Sequence, residues 1–207
     1  MTQRSTRRRT LALAALPLAL AAALTGCSGG GDTLAQQWAD GSDKGFIAGD
    51  GTTTSITPEA RTQPVEFTGE GEQGETIVSA DYVGTVTVVN FWYAGCAPCR
   101  AEAPDLAEID AEYGDDEVRF LGVNTRDQAA QALQFAKEFE IEYPSIMDSV
   151  GDRAVQRAFA GQIPLNAVPT TLVLDREGRV AHRVVGQIAS ASQLRTLVKE
   201  TLAEDAA

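Results

Sequence analysis

The chain has 207 residues, 43% of them hydrophobic and 22% charged, and its 29 acidic against 17 basic residues leave a formal net charge of −12. That balance excludes recognition of nucleic acid, or of an anionic bilayer, through surface charge. One histidine and three cysteines are too few for the paired Cys/His clips of a structural zinc site.

The opening M-T-Q-R-S-T-R-R-R-T carries Arg4, Arg7, Arg8 and Arg9 and no acid, and residues 11–24 carry no charge. A basic head followed by a short apolar run is the pattern of a secretory signal; a membrane span needs about 20 apolar residues, more than are present. The paired arginines before Leu11 also fit a twin-arginine export signal, so both that route and the Sec route stay open. The run closes L-T-G-C, ending at Cys27, which resembles the bacterial lipobox. The resemblance implies that residues 1–26 are removed, that Cys27 is lipidated, and that the protein works lipid-anchored on the extracytoplasmic face of a bacterial membrane. Stable anchoring by acylation takes more than one chain, and bacterial lipoproteins carry several.

Residues 27–62, with S-G-G-G-D and A-G-D-G-T-T-T-S, read as a flexible tether. Within it L-A-Q-Q-W-A suits a helical turn, and Phe46–Ile47 suits a docking contact on the domain. From residue 63 to 207 the texture is that of one folded domain. P-V-E-F and E-T-I-V-S are expected to form a hairpin of short strands. V-T-V-V-N-F-W-Y, residues 86–93, is apolar on both faces and reads as a buried strand. A helix follows, with Leu106, Ile109 and Tyr113 on one face. Then come the strand V-R-F-L-G-V, a helix with Leu133, Ala136 and Phe139 as its apolar stripe, the short strand Y-P-S-I-M-D and the helix D-R-A-V-Q-R-A-F. The chain ends with strands T-T-L-V-L-D and R-V-A-H-R-V-V around the turn R-E-G, and a last helix through L-R-T-L-V-K-E-T-L. Strand–helix alternation closed by a hairpin and a helix predicts an α/β fold, a mixed sheet with helices on both faces.

Between the buried strand and the first helix stands N-F-W-Y-A-G-C-A-P-C-R, with Cys96 and Cys99 three apart. A disulfide across two residues closes too short a loop to be an effective staple. No second C-x-x-C supplies zinc ligands. A redox dithiol is the reading that remains. Cys96 falls where a strand ends and a helix begins, where free N–H groups favour a thiolate, so it is the expected exposed nucleophile. Pro98 suits the first helical turn, where its missing N–H costs nothing. Cys99, one turn inward, is placed to resolve a mixed disulfide. Glu102 shares the helix face of Cys99, though an acid on a helix is more often simply solvated. Phe91 and Trp92 read as core and platform, and His182 as a plain strand residue.

The stretch V-V-N-F-W-Y-A-G-C-A-P-C-R-A-E-A-P resembles the active-site strand and helix of the thioredoxin superfamily, and more closely those of the membrane-tethered TlpA/ResA-like thiol-disulfide oxidoreductases. Three further features carry the resemblance over 63–207. Glu102 and Pro104 match C-x-x-C-x-x-E-x-P, residues 124–148 resemble that family's inserted helix and strand, and V-P-T-T-L-V-L-D with Val168–Pro169 resembles its cis-proline loop. The resemblance implies a thioredoxin-like fold with an N-terminal β-hairpin and a central helix–strand insertion. It implies Cys96, Cys99, Glu102 and Pro169 as catalytic, with Glu102 assisting proton transfer, and Trp92, Gly95, Ala97, Pro98 and Val168 as the client-binding surface. No cofactor is implied beyond the Cys96–Cys99 disulfide itself. The implied partners are client protein thiols and disulfides, apocytochrome c among them, and a membrane electron donor of CcdA/DsbD type. Gly95 departs from the pattern, since many relatives have Trp there, which bears on client preference.

Other functions compete. An oxidising exchanger would carry the same motif. A copper-binding chaperone of the same fold would use Cys96, Cys99 and His182, but copper carriers of this fold use C-x-x-x-C. A peroxidase would need its cysteine in a different loop context.

Overall fold

The computed structural model describes residues 49–114, 117–149, 151–164 and 166–204. Cys27, the predicted signal, L-A-Q-Q-W-A and Phe46–Ile47 lie outside the described residues. In chain order the described elements are β1 (Thr52–Ser55), β2 (Thr68–Glu70), β3 (Thr76–Val78), β4 (Val86–Trp92), α1 (Ala97–Tyr113), β5 (Val118–Asn124), α2 (Ala129–Phe139), β6 (Ser145–Met147), α3 (Ala154–Ala158), β7 (Thr170–Leu174), β8 (Val180–Val185) and α4 (Ala191–Ala203). One sheet runs β1-β8-β7-β4-β5-β6, and β2 and β3 form a separate two-stranded ribbon. β4, β5 and β6 are parallel, while β7, β8 and β1 alternate antiparallel. This is the expected mixed sheet flanked by helices.

β4 is central because it can be covered twice. Every residue of V-T-V-V-N-F-W is buried, and the strand period of two sends alternate side chains to opposite faces. Val86 and Val88 pack with Leu106 and Ile109 of α1 and Leu194 and Val198 of α4. Val89 and Phe91 pack on the other face with Phe67, Val155 and Phe159. Asn90 and Trp92 therefore point to the α1 side, which matters below. Each fully buried large apolar side chain contributes about 1.5–3 kcal/mol, so these two layers hold the strand that carries the cysteines.

The structure corrects the sequence reading in three places. The tether boundary at 62 falls too late. Thr52–Ser55 pairs with His182–Val185 as an edge strand, and Arg61 bonds Asp175 at 2.9 Å and Glu204 at 2.5 Å with its side chain almost fully buried. β-branched threonines suit an edge strand whatever the glycines around them suggest. The first hairpin strand is Thr68–Glu70, one step beyond P-V-E-F, whose Val65 and Phe67 are core residues instead. The stripe of α2 is rotated: Ala132 and Phe135 are buried while Leu133 is 42% exposed.

The ribbon protects the short edge strand β6, which would otherwise present free backbone groups. Gly71 bridges Ile146, and the Glu72 carboxylate accepts the Ser145 N–H at 2.6 Å.

Candidate active site

β4 ends at Trp92 and α1 begins at Ala97, so Tyr93–Cys96 form the junction. Cys96 is the N-cap of α1, with extended backbone, and Pro98 sits in the first turn. Cys96 and Cys99 form a disulfide with Cα atoms 5.2 Å apart. Cys96 Sγ also accepts the backbone N–H of Cys99 at 3.2 Å. That contact is the local form of thiolate stabilisation at a helix start: an otherwise unpaired N–H is aimed at the sulfur that carries charge once the disulfide opens.

The Val168–Pro169 bond is cis. Val168 belongs to one apolar cluster with Cys96, Cys99, Trp92, Ala103, Ala132 and Phe135. The loop is fixed from behind, because Gly186 donates its N–H to the Pro169 carbonyl at 2.9 Å. Gly186 has φ +103, and a Cβ there would stand 2.5 Å from Gly49 backbone atoms.

Glu102 lies one helical turn past Cys99 and is fully buried. Its Oε1 accepts from Asn90 Nδ2 and its Oε2 from the Ile188 N–H, both at 2.9 Å. Asn90 Nδ2 also donates to Thr171 Oγ1 at 3.1 Å. Burial outweighs both bonds and pushes the carboxyl up to about 8, because removal from water penalises the charged form. Glu102 is therefore largely protonated at neutral pH. A cavity of about 10 Å³ is lined by Cys99, Asn90, Trp92, Tyr143 and Ser145 among others, room for about one water. Trp92 Nε1 donates to Ser145 Oγ at 3.2 Å across the β4–β5–β6 side. Gly122 makes that crossing possible: a Cβ there would stand 2.1 Å from Ser145 Oγ. A larger open groove of about 800 Å³, at Pro64–Thr68, Val78–Ala80 and Val83, contains none of the predicted site residues.

The dithiol packs against Val168, ahead of the cis-proline, and Glu102 lies one helical turn past Cys99, with Gly95 and Ala97 exposed and Pro98 half-buried at the rim. Two placements differ from expectation. Cys96 is 0% exposed, because in the disulfide its sulfur is turned onto the helix and packed in the Val168 cluster. Trp92 is 4% exposed and stacks on Phe135 with ring centres 4.3 Å apart, so it is the platform beneath the dithiol and offers no surface to a client. His182 does not join the cysteines. It sits on β8 with Nδ1 2.9 Å from Ser55 Oγ, and β7 separates β8 from β4. The ligand set that a copper chaperone would use therefore does not assemble.

Sequence reading missed Asn90 and the Ile188 N–H as partners of Glu102, and Thr171 as a partner of Asn90. The signal for Asn90 was present: a polar side chain in an otherwise apolar buried strand must find a partner. It also missed Asp127, whose Oδ2 accepts the Ala94 N–H at 2.6 Å.

A C-x-x-C at the head of the helix that follows a central parallel strand, packed against a cis-proline loop, defines the thioredoxin superfamily. Within it the chain belongs to the AhpC/TSA family, whose model matches residues 61–183. It is similar to the thiol-disulfide oxidoreductase ResA of Bacillus subtilis, 28% identical over 58% of this chain and 64% of that protein. It is also similar to the thiol:disulfide interchange protein HelX of Rhodobacter capsulatus, 33% identical over 51% of this chain and 54% of that protein. The chain thus spans less than two thirds of the curated relatives it matches. A solved DsbF homologue from Corynebacterium diphtheriae superposes with a TM-score of 0.65 at 32% identity, covering 75% of this chain and 99% of that one.

Proposed function

We propose that the protein is a membrane-tethered, extracytoplasmic thiol-disulfide oxidoreductase that reduces disulfides in client proteins. The observation that carries this is the Cys96–Cys99 disulfide at a helix N-terminus with a buried carboxyl, Glu102, one turn beyond it. In the reduced protein the Cys96 thiolate attacks a client disulfide, forms the mixed disulfide and expels one client thiolate. The Cys99 thiolate then attacks Cys96 Sγ, closing the Cys96–Cys99 disulfide and releasing the second client thiolate, a two-electron transfer in all. The ionised fraction of Glu102 takes up the proton that Cys99 gives up in this step, and the protonated carboxyl returns it when a donor reduces the disulfide. Cys99 and Asn90, the hydrogen-bond partner of Glu102, line the same small cavity, which supports this role.

The client approaches over Gly95, Ala97 and Pro98, and its extended backbone pairs beside Val168 ahead of the cis-proline. Apocytochrome c before haem attachment is the client class, and a CcdA/DsbD-type membrane protein the electron donor, that the family resemblance supports. Cleavage before Cys27 and lipidation of its thiol provide the tether. No helix among the described residues is long and apolar enough to cross a membrane.

Equilibrating the Cys96–Cys99 couple against glutathione tests the direction of flow. A potential near about −270 mV supports the reductant and one near about −120 mV makes the protein an oxidant. Cys27→Ser tests the tether: it should release the protein from membranes or leave the signal uncleaved, and mass spectrometry showing an unmodified N-terminus elsewhere would remove the anchor.

A further inference from the structure

Asp127 stands immediately before α2, where an acid ordinarily caps a helix. It does not cap this one. The N-cap is Gln128, whose side chain exchanges bonds with Gln131 in a capping box. The Asp127 carboxylate is turned the other way, and its Oδ2 accepts the Ala94 backbone N–H at 2.6 Å and Asn124 Nδ2 at 2.8 Å. Asn124 fixes that direction. It is buried at the end of β5, and its Oδ1 accepts the N–H groups of Arg126 and Asp127 at 3.0 and 2.8 Å. Thr125 adds a second tie, with its N–H 3.0 Å and its hydroxyl 3.3 Å from the Trp92 carbonyl. The Asp127 carbonyl is itself held by the Ser149 hydroxyl at 2.7 Å. Three of these bonds reach Trp92 and Ala94, directly ahead of Cys96, and the others brace Asp127 and its turn.

We propose that Asp127 is a positioning residue of the dithiol site: by holding the Ala94 amide it fixes the Tyr93–Gly95 turn and so seats Cys96 Sγ against the first N–H of α1. The other side-chain ties at the turn are longer: Arg100 Nη1 lies 3.5 Å from the Ala94 carbonyl, and the Arg126 guanidinium lies 4.4 Å from the Tyr93 ring centre. Gly95 is exposed and has no Cβ to restrict it. The Cys96 N–H bonds only locally, to the Tyr93 carbonyl at 3.1 Å. A bond from a backbone amide to a carboxylate is charge-assisted and about twice as strong as a neutral one. With the tie broken the turn gains freedom, the Cys99 N–H to Cys96 Sγ contact loosens, and the thiolate loses part of its stabilisation. This rests on Cys96 being the nucleophile.

The test separates the bond from the charge. Asp127→Asn removes the charge and keeps an oxygen for the Ala94 N–H; Asp127→Ala removes both. On the reduced proteins, the pH midpoint of iodoacetamide alkylation at Cys96 is read by peptide mass spectrometry, alongside the rate of exchange with oxidised glutathione and the melting temperature. The two variants carry the same charge, so their difference reports the bond. The expected result is an alkylation midpoint about one unit higher in Asp127→Ala than in Asp127→Asn, which means about tenfold less thiolate below the midpoint, and slower exchange at neutral pH. Asp127→Asn should stay within about twofold of wild type in rate. Equal midpoints and rates in the two variants would overturn the proposal, as would a lower melting temperature in Asp127→Ala with nothing else changed. If Asp127→Ala does not fold, Asp127→Ser, whose hydroxyl is too short to reach Ala94, takes its place in the same comparison. Wild-type alkylation at Cys99 ahead of Cys96 would instead defeat the reading on which the proposal rests.

Discussion

Glu102 and Asp127 both serve the Cys96–Cys99 segment, one from within α1 and the other from the turn between β5 and α2, and burial sets what each does. Glu102 is sealed from water, so its carboxyl is pushed up to about 8 and becomes a group that carries a proton. Asp127 is half-exposed and spends its oxygen on a backbone amide 2.6 Å away. In the proposed mechanism the same functional group is a proton carrier where water is excluded and a clamp where water is near. A carboxylate near a dithiol is therefore not informative until its solvation and its partners are known.

Substitutions should separate the two sites by size of effect. The largest loss of stability is expected from Glu102→Ala, which opens a cavity and leaves the Ile188 N–H and part of Asn90 unpaired in the core. Each buried group left without a partner costs about 1–3 kcal/mol, so chemical denaturation should show a loss of several such units. Little change would mean that water fills the site.

The pH dependence of stability comes next. Glu102 has its folded value raised from 4.5 to about 8. The folded state therefore binds a proton that the unfolded state has already lost. Stability from this group is fully present below pH 4.5 and falls as pH rises towards about 8, at about 1.4 kcal/mol per pH unit. Relative to Glu102→Gln, which does not titrate, the wild type should lose stability across that window. Parallel curves for the two proteins would show that Glu102 is ionised throughout. Glu102→Gln should also slow glutathione exchange at least about tenfold, within the range general acid–base help provides, and flatten its pH profile.

Of the two sites, the smaller effect is expected at Asp127. Because the site is half-exposed and water can replace the lost bond, Asp127→Ala should cost only about 1 kcal/mol in stability, far less than Glu102→Ala. A large loss there would place Asp127 with the core and blur the contrast. An internal control for the burial argument lies on α2: Phe135→Ala should cost about 3–5 kcal/mol, and Leu133→Ala, on the exposed face, within about 0.5 kcal/mol.

What the sequence made legible follows the same division. The strand at 86–92, the C-x-x-C, Glu102 at i+3 from Cys99, and Val168–Pro169 are local patterns, and the structure brings them together. The partners that set their chemistry are not local. Asn90 and the Ile188 amide hold Glu102, and Thr171 holds Asn90, only because β4 pairs with β7 and the chain returns before α4. Asp127 carries no distinguishing local pattern, and only the fold turns it towards Ala94. β1 escaped notice because an edge strand of threonines has no alternation of apolar and polar residues. The face of α2 was misread because Ala136 and Phe139 lie at the margin of the buried stripe, where a shift of one residue moves Leu133 into solvent.

Trapping is the most direct test of the central claim that Cys96 and Cys99 form an exchanging pair with distinct roles. The Cys99→Ser and Cys96→Ser variants, reduced and then exposed to oxidised glutathione, are digested and mapped by mass spectrometry. The expected result is a stable mixed disulfide on Cys96 in Cys99→Ser, formed much faster than any adduct on Cys99 in Cys96→Ser. Faster adduct formation on Cys99, or none on either cysteine, would contradict it.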